Sequence, residues 1–179
     1  MTTKTSTVGR VAVLATVAAL GLTGCSSTTP GTAFPSTGAT STGTTTTGNA
    51  NVFSALNACQ VLDQLLTGQG FDPGENISRR NECDASKLNF GTYSIALDPA
   101  RGLSEYRTEN SGAMTTTING RNALQAKPSA AMCEFALEVG QHARALATAT
   151  MAESTANAQA CPSAKQLAEK LEPLLPKDQ

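Results

Sequence analysis

Aromatic residues are the scarcest class in this chain of 179 residues. It has no Trp, two Tyr and five Phe. Large aromatic side chains contribute much of the buried area in most cores. A core made from this sequence must therefore rely on Leu, Ala, Val and Ile.

Clustered positive charge is also missing. The longest basic run is the pair Arg79-Arg80, and acidic residues outnumber basic ones, 14 to 13. Nucleic-acid binding domains need a basic patch or stripe to meet the phosphates. We therefore expect no nucleic-acid partner.

Recognisable catalytic groups are few. The one imidazole, His142, falls in a predicted turn and is expected to be solvated. Glu134 and Glu138 share the exposed face of a predicted strand, and Glu105 and Glu109 have the spacing of a surface salt-bridge patch. No nucleophile elbow, phosphate loop, dinucleotide fingerprint or calcium loop is present. We expect no enzyme, no catalytic residue, no bound metal and no cofactor.

The N-terminus has the pattern of an export signal. Lys4 and Arg10 precede an apolar run over 11–20, which is too short to span a bilayer comfortably. The next residues resemble a bacterial lipobox: Leu22, Thr23, Gly24 and Cys25. We predict a signal peptide over 1–24 and lipidation of Cys25, which would anchor the chain on the extracytoplasmic face of the cell membrane. An ordinary secretory signal with an incidental cysteine is the alternative.

Residues 25–51 are rich in Ser, Thr and Gly after the cysteine. Such a segment buries too little apolar surface to fold, so we predict a tether. The folded domain is expected over 52–179.

Periodicity within that domain predicts an α+β fold. A helix is expected over 54–69 with Ser54 as its N-cap, and a polar loop over 70–82. Asn119-Gly120 is a favoured hairpin turn. Strands are expected over 88–97, 113–118, 121–126, 132–139 and 144–152, although the Ala-rich last segment also suits a helix. A final helix begins near Pro162. The arrangement is an antiparallel sheet of about five strands, with the N- and C-terminal helices on one face.

Four cysteines lie within the domain, and in an exported chain they indicate two disulfides. They are Cys59, Cys83, Cys133 and Cys161. Pairing Cys59 with Cys83, and Cys133 with Cys161, would tie each terminal helix to the sheet. This connectivity is favoured, and the two other pairings remain open.

The order of these motifs resembles a known family. The motifs are Ala58-Cys59-Gln60-Val61-Leu62, Cys83 before a strand, Asn119-Gly120-Arg121-Asn122-Ala123, Cys133-Glu134-Phe135, Ala160-Cys161-Pro162 and Leu174-Leu175-Pro176. Together they span nearly all of 52–176 and are similar to the actinobacterial lipoproteins grouped as domain of unknown function 3558. A common acid-Pro opening before the first domain cysteine is replaced here by Asn57-Ala58. The resemblance implies an exported, disulfide-bonded domain and transfers no activity or catalytic residue.

Three functional hypotheses follow. The first is a non-enzymatic binding or accessory module, whose partner would be an envelope protein or cell-wall polymer. The alternative is a carrier or sensor of a small apolar ligand, held between the sheet and its helices. An envelope hydrolase is the third, with Glu134, Glu138 or His142 as its candidate residues.

We expect the protein extracted from its own membrane to begin at Cys25 and to carry acyl chains and two disulfides. Native mass spectrometry before and after mild denaturation measures all three features. A mature chain without acyl mass would contradict the lipid anchor, whereas an additional mass that leaves on denaturation would support the carrier hypothesis.

Overall fold

A computed structural model describes residues 51–177, so the predicted signal peptide, Cys25 and almost all of the tether lie outside the described residues. The described part contains a seven-stranded antiparallel sheet and three α-helices. The elements are α1 (Ala58–Leu66), β1 (Glu75–Asn76), β2 (Glu82–Lys87), β3 (Gly91–Asp98), α2 (Leu103–Glu109), β4 (Met114–Ile118), β5 (Arg121–Ala126), β6 (Met132–Gly140), β7 (Ala143–Met151) and α3 (Ala160–Leu171), with 3₁₀ turns at Ser154–Gln159 and Glu172–Leu174.

The first helix is shorter than predicted because a different residue caps it. Asn57, not Ser54, accepts a hydrogen bond from the Gln60 backbone N–H at 3.1 Å. Asn81 adds two long-range hydrogen bonds. Its side chain accepts from the Ala58 N–H and donates to the Leu56 carbonyl, both at 2.7 Å. These bonds satisfy backbone groups that the start of a helix leaves free.

The sheet contains two more strands than the five predicted. The predicted polar loop over 70–82 contains β1, and Cys83 lies within β2 instead of before a strand. In β2, Cys83 and Ala85 face inward while their neighbours face outward. Only two positions of β2 point inward, and both carry small side chains. The alternation that marks a strand is therefore weak in the sequence. The other five strands match their predicted positions within a few residues, and β7 is a strand, not a helix.

The inner face of the sheet carries the main core. Phe135, Leu137 and Val139 of β6 are buried there, at alternating positions of the strand. The neighbouring strand β7 presents Ala145, Ala147 and Ala149, all with no exposed surface. Helices α1 and α3 cover this face. The alanines allow α3 to lie close to the centre of the sheet, because helix–sheet distance is limited by side-chain size.

The outer face of the sheet is partly covered, whereas the sequence predicted helices on one face only. Helix α2 packs on it and buries Tyr106 against Leu124, Ala126 and Ala136. Thus two helices cover the inner face and a third, short helix covers part of the outer face.

Both favoured disulfides are present. Cys59 of α1 is bonded to Cys83 of β2, and Cys133 of β6 is bonded to Cys161 of α3. Each bridge therefore ties a terminal helix to the sheet. A cross-link of this loop size contributes about 3 kcal/mol to folding in the chain-entropy model.

The strand order is β1-β2-β3-β7-β6-β5-β4. Every neighbouring pair is consecutive along the chain except β3 and β7, which pair over Gly91–Asp98 and Ala143–Met151. We call this pairing the seam. The Cys59–Cys83 bridge lies on one side of the seam and the Cys133–Cys161 bridge on the other.

We expect Ala147→Leu to lower the free energy of unfolding by about 1–3 kcal/mol, because a filled alanine interface has no space for a larger side chain. Urea unfolding of the full chain measures the change. Ala152→Leu is the control, since Ala152 is exposed just after β7. A tolerated Leu at 147 would instead reveal empty space between the sheet and its helices, where the carrier hypothesis places its ligand.

Candidate functional site

The structure separates the residues suggested for a hydrolase. His142 is exposed in the β6–β7 turn, with Nδ1 3.8 Å from Oε1 of Glu105. Ser104 donates to Oε2 of that same carboxylate at 2.8 Å. The carboxylate therefore lies between the hydroxyl and the imidazole. A catalytic triad requires the imidazole in that middle position, because it takes the proton of the nucleophile.

Glu134 and Glu138 lie on the same face of β6 but in different surroundings. Glu134 accepts a hydrogen bond from the Thr148 hydroxyl at 2.8 Å, and Glu138 accepts from the Asn122 amide at 2.7 Å. Four residues of strand separate their Cα atoms by about 13 Å. The carboxyl groups of glycosidases face one substrate bond, whereas here the two carboxyl groups are bonded to different neighbours, Thr148 and Asn122.

A buried arginine fixes helix α2 to the outer face. The side chain of Arg144 on β7 is 3% exposed and donates to Oε2 of Glu109 at 2.8 Å and to the Gly102 carbonyl at 3.2 Å. Its guanidinium also lies 5.1 Å from the centre of the Tyr106 ring and 3.9 Å from Asp98. A buried cation needs such partners, since an unpaired one is costly.

The salt-bridge patch predicted on the surface around Glu105 and Glu109 therefore includes a buried residue, Arg144. Glu109 contacts Arg101 at 2.9 Å as well as Arg144, whereas Arg107 donates to Thr115 at 2.9 Å. The hydrogen bond from Arg144 holds the pKa of Glu109 below its ordinary value. The burial of Arg144 was not predicted from the sequence, where this residue lies among alanines on a strand.

Beside α2, the uncovered part of the outer face forms a concave surface, which we call the outer groove. Its volume is about 490 Å³. It is lined by Ile77, Glu82, Asp84, Thr92, Ser94, Ile95, Ala96, Met132, Glu134, Leu146, Thr148 and Thr150. Leu146 also packs against the cluster around Tyr106, so the groove borders the helix.

Four polar residues form a straight row across the floor of this groove. Asp84 on β2 lies opposite Ser94 on β3, Ser94 opposite Thr148 on β7, and Thr148 opposite Glu134 on β6. Residues directly opposite in a sheet point to the same side. The row thus carries a carboxylate at each end and two hydroxyls between them.

One end of the row has a buried carboxylate oxygen, Oδ1 of Asp84, without a hydrogen-bond partner among residues 51–177. At the other end, the hydroxyl of Tyr106 is 1% exposed and faces the Glu134 carboxylate. Burial and the nearby carboxylate raise the pKa of this hydroxyl. Both atoms are closed to solvent, so neither lies on the open surface of the groove. Buried polar atoms are nearly always hydrogen-bonded, which makes the Asp84 oxygen an exception.

The groove carries carboxylates and hydroxyls, but they are not clustered as ligands of one metal ion. Three carboxylates line it, and no Lys or Arg does. Asp84 and Glu134 are separated by three inter-strand spacings, about 14 Å, which is too far for both to bind one metal ion. Within residues 51–177, no group of three or more His, Cys, Asp or Glu has a metal-binding arrangement.

Sequence reasoning identified Glu134 but missed the rest of the row. Asp84 lay outside every predicted strand, and Ser94 and Thr148 were simply outward positions. Only the pairing of β3 with β7 brings the four residues together. The predicted lipidation residue Cys25 and the predicted lipobox residues Leu22, Thr23 and Gly24 lie outside the described residues.

Comparison with known proteins gives one match. The family model described as "Protein of unknown function (DUF3558)" matches residues 20–174. Neither the curated proteins nor the solved structures contain a match to the chain. Over residues 51–177, no helix has the length and apolar character needed to cross a bilayer.

We expect Glu109→Gln to destabilise the protein at neutral pH and to have a smaller effect in acid. Folding lowers the pKa of Glu109, so its ionised form stabilises the folded protein. This stabilisation is fully present above the ordinary carboxylate pKa of about 4.3, and it is lost as the pH falls through the lower pKa of the folded state. Urea midpoints at neutral pH and near pH 3 measure this. Glu153→Gln is the control, because Glu153 is exposed. An equal loss of stability at both pH values would contradict a stabilising role for the ionised Glu109 carboxylate.

Proposed function

The chain belongs to the family described as protein of unknown function, DUF3558, and we propose that this member is a non-enzymatic binding or accessory module displayed outside the cytoplasmic membrane. The observation that carries the proposal is the outer groove. Binding sites for small molecules are concave, occupy about 300–1,000 Å³ and contain a few convergent polar groups. At about 490 Å³, with one row of four polar side chains, the groove falls within that class.

The membrane part of the proposal rests on the sequence. The lipobox ending at Cys25 supports lipidation, and two or more acyl chains would give stable anchoring. A flexible segment of the length of 26–50 would have an end-to-end distance of roughly 25–30 Å. A domain on such a tether meets envelope ligands at high effective concentration. An envelope protein or wall polymer could supply the ligand group.

A binding role fits the groove better than catalysis does. The hydroxyl of Thr148 donates to Glu134 and has no imidazole beside it. The carboxylates of the row are too widely separated to share a substrate bond as acid and base. The hydrolase hypothesis therefore gains no support from these residues.

The carrier hypothesis placed an apolar ligand between the sheet and its helices. The outer groove lies on the opposite face, and a second pocket of about 330 Å³ lies between the end of α2 and strands β4 and β5. The alanines of β7 are fully buried at the interface where that ligand would bind. No observation favours an apolar ligand there, so the binding module is the function we propose.

Crosslinking on intact cells tests this function. A photo-reactive amino acid at Thr92, inside the groove, should give a discrete adduct whose mass identifies what the groove holds. The matched control is the same amino acid at Lys170, which is exposed on α3 across the sheet. If Thr92 gave no adduct above the level at Lys170, the outer groove would not be a binding surface.

A further inference from the structure

We propose that strand β4 is a docking surface for a second copy of this chain, and that the two β4 strands pair antiparallel across a two-fold axis at Thr116. The two seven-stranded sheets then form one continuous sheet. This surface is separate from the outer groove, so it does not depend on what the groove binds. Three features of β4 support the pairing: its free edge, its self-complementary register and the exposure of Met114.

The two edges of the sheet differ in how well they are protected. At one edge, β1 is only two residues long, includes the exposed carboxylate Glu75 and is followed by the exposed pair Arg79-Arg80. At the other edge, β4 is five residues long and contains neither a charge nor a proline. Short strands, charges and prolines keep edge strands from pairing with another chain. The edge at β4 is therefore the one open to a partner strand.

Backbone groups of β4 point out from this edge. The two-residue turn Asn119-Gly120 joins β4 to β5, and in such a hairpin the flanking pair, Ile118 and Arg121, exchanges both hydrogen bonds. Hydrogen-bonded and non-bonded pairs alternate along antiparallel strands, so Thr115 and Thr117 direct their N–H and C=O groups away from β5. Both residues are exposed, and residues 51–177 supply no further strand on this side.

A two-fold axis at Thr116 uses the outward groups of both copies. Thr115 of each copy then lies opposite Thr117 of the other, and each of these two pairs can exchange two backbone hydrogen bonds. Thr116 lies opposite its own equivalent, and Met114 lies opposite Ile118. Opposed threonines are a favourable cross-strand combination, and no like charges meet along the strand. The strand is therefore complementary to itself.

The same register gives the exposed side chain of Met114 an apolar partner. Met114 and Ile118 point to the same side of β4, because alternate residues of a strand share a face. Ile118 belongs to the main core and is 1% exposed, whereas Met114 is 60% exposed. Helix α3 packs over β4 on that side. Pairing places Met114 of one copy beside Ile118 of the other, so its apolar surface is removed from water, which is favourable.

The charges nearest the edge are also compatible with a second copy. On the outer side, Arg107 donates to Thr115 at 2.9 Å, while Asn122, opposite Thr117, donates to Glu138. Because Thr115 of one copy pairs with Thr117 of the other, Arg107 of each copy approaches the side that carries Glu138 of the other. Charges of opposite sign on facing surfaces favour the correct association.

Sedimentation velocity of the full chain in detergent, over a series of concentrations, tests the pairing. A single strand pair is a small interface, so we expect a reversible monomer–dimer equilibrium. Thr116→Lys and Thr116→Glu should each raise the midpoint concentration for dimers about tenfold or more, because like charges then meet at the axis. An equimolar mixture of the two variants should restore dimers to about the wild-type level, since opposite charges then face each other.

Matched controls separate this contact from general effects of charge and folding. Thr155→Lys and Thr155→Glu should each change the midpoint less than about twofold, because Thr155 is exposed beyond β7. Met114→Ser adds no charge and alters an exposed side chain, so the fold should be retained, and dimers should weaken about threefold or more. Leu88→Ser should have no effect, although Leu88 is 87% exposed, because it lies in the β2–β3 turn.

Three results would overturn the inference. A chain still monomeric at about 1 mM would show that the edge does not pair with itself and is free for a strand of another protein. Dimers that persist in both Thr116 variants, or that fail to return when the variants are mixed, would use a different surface. Crosslinking at Thr92 reports on the outer groove and sedimentation on the edge at β4, so the two proposals can fail independently.

Discussion

The contact between alanines of strand β7 and alanines of helix α3 determines the rest of this structure. Without Trp and with few other aromatics, the chain fills the centre of its core with small side chains, and the helix lies close against the sheet. Alanines with no exposed surface occur on both sides: Ala145, Ala147 and Ala149 on β7, and Ala160, Ala164 and Ala168 on α3. This close approach brings Cys161 to Cys133. The inner face is thus filled by side chains, and the outer groove lies on the opposite face of the sheet.

The outer face owes its shape to one charged residue. Arg144 is buried under α2 and paired with Glu109, the last residue of that helix, so it holds the helix against the sheet beside the open groove. The same face therefore contains two electrostatic environments. Under α2, a buried cation is matched by carboxylates. In the groove, Asp84 and Glu134 have no such partner within the described residues.

Local patterns in the sequence predicted local structure well. The alternation around Phe135 and the turn at Asn119-Gly120 fix strands that pair with their chain neighbours, and the turn has the positive φ values expected, 50° and 89°. The family and both disulfides were also recognisable from the order of the cysteines. Strand β2 was not predicted because its inner residues are small. Helix α2 was not predicted because its burial depends on Arg144. The groove could not be predicted, since its row exists only after distant strands pair along the seam.

The seam also divides the molecule mechanically. Each disulfide closes a loop within its own half, so no covalent link other than the backbone joins β1–β3 with α1 to β4–β7 with α3. Under oxidising conditions each half remains a cross-linked unit built mainly from elements that are neighbours along the chain, and the β3–β7 ladder is the long-range pairing that joins the halves. The polar row crosses that ladder, with Asp84 and Ser94 on one half and Thr148 and Glu134 on the other. A force that pulls the two halves apart would therefore be resisted by the β3–β7 ladder and by the packing of side chains across it, not by a covalent cross-link.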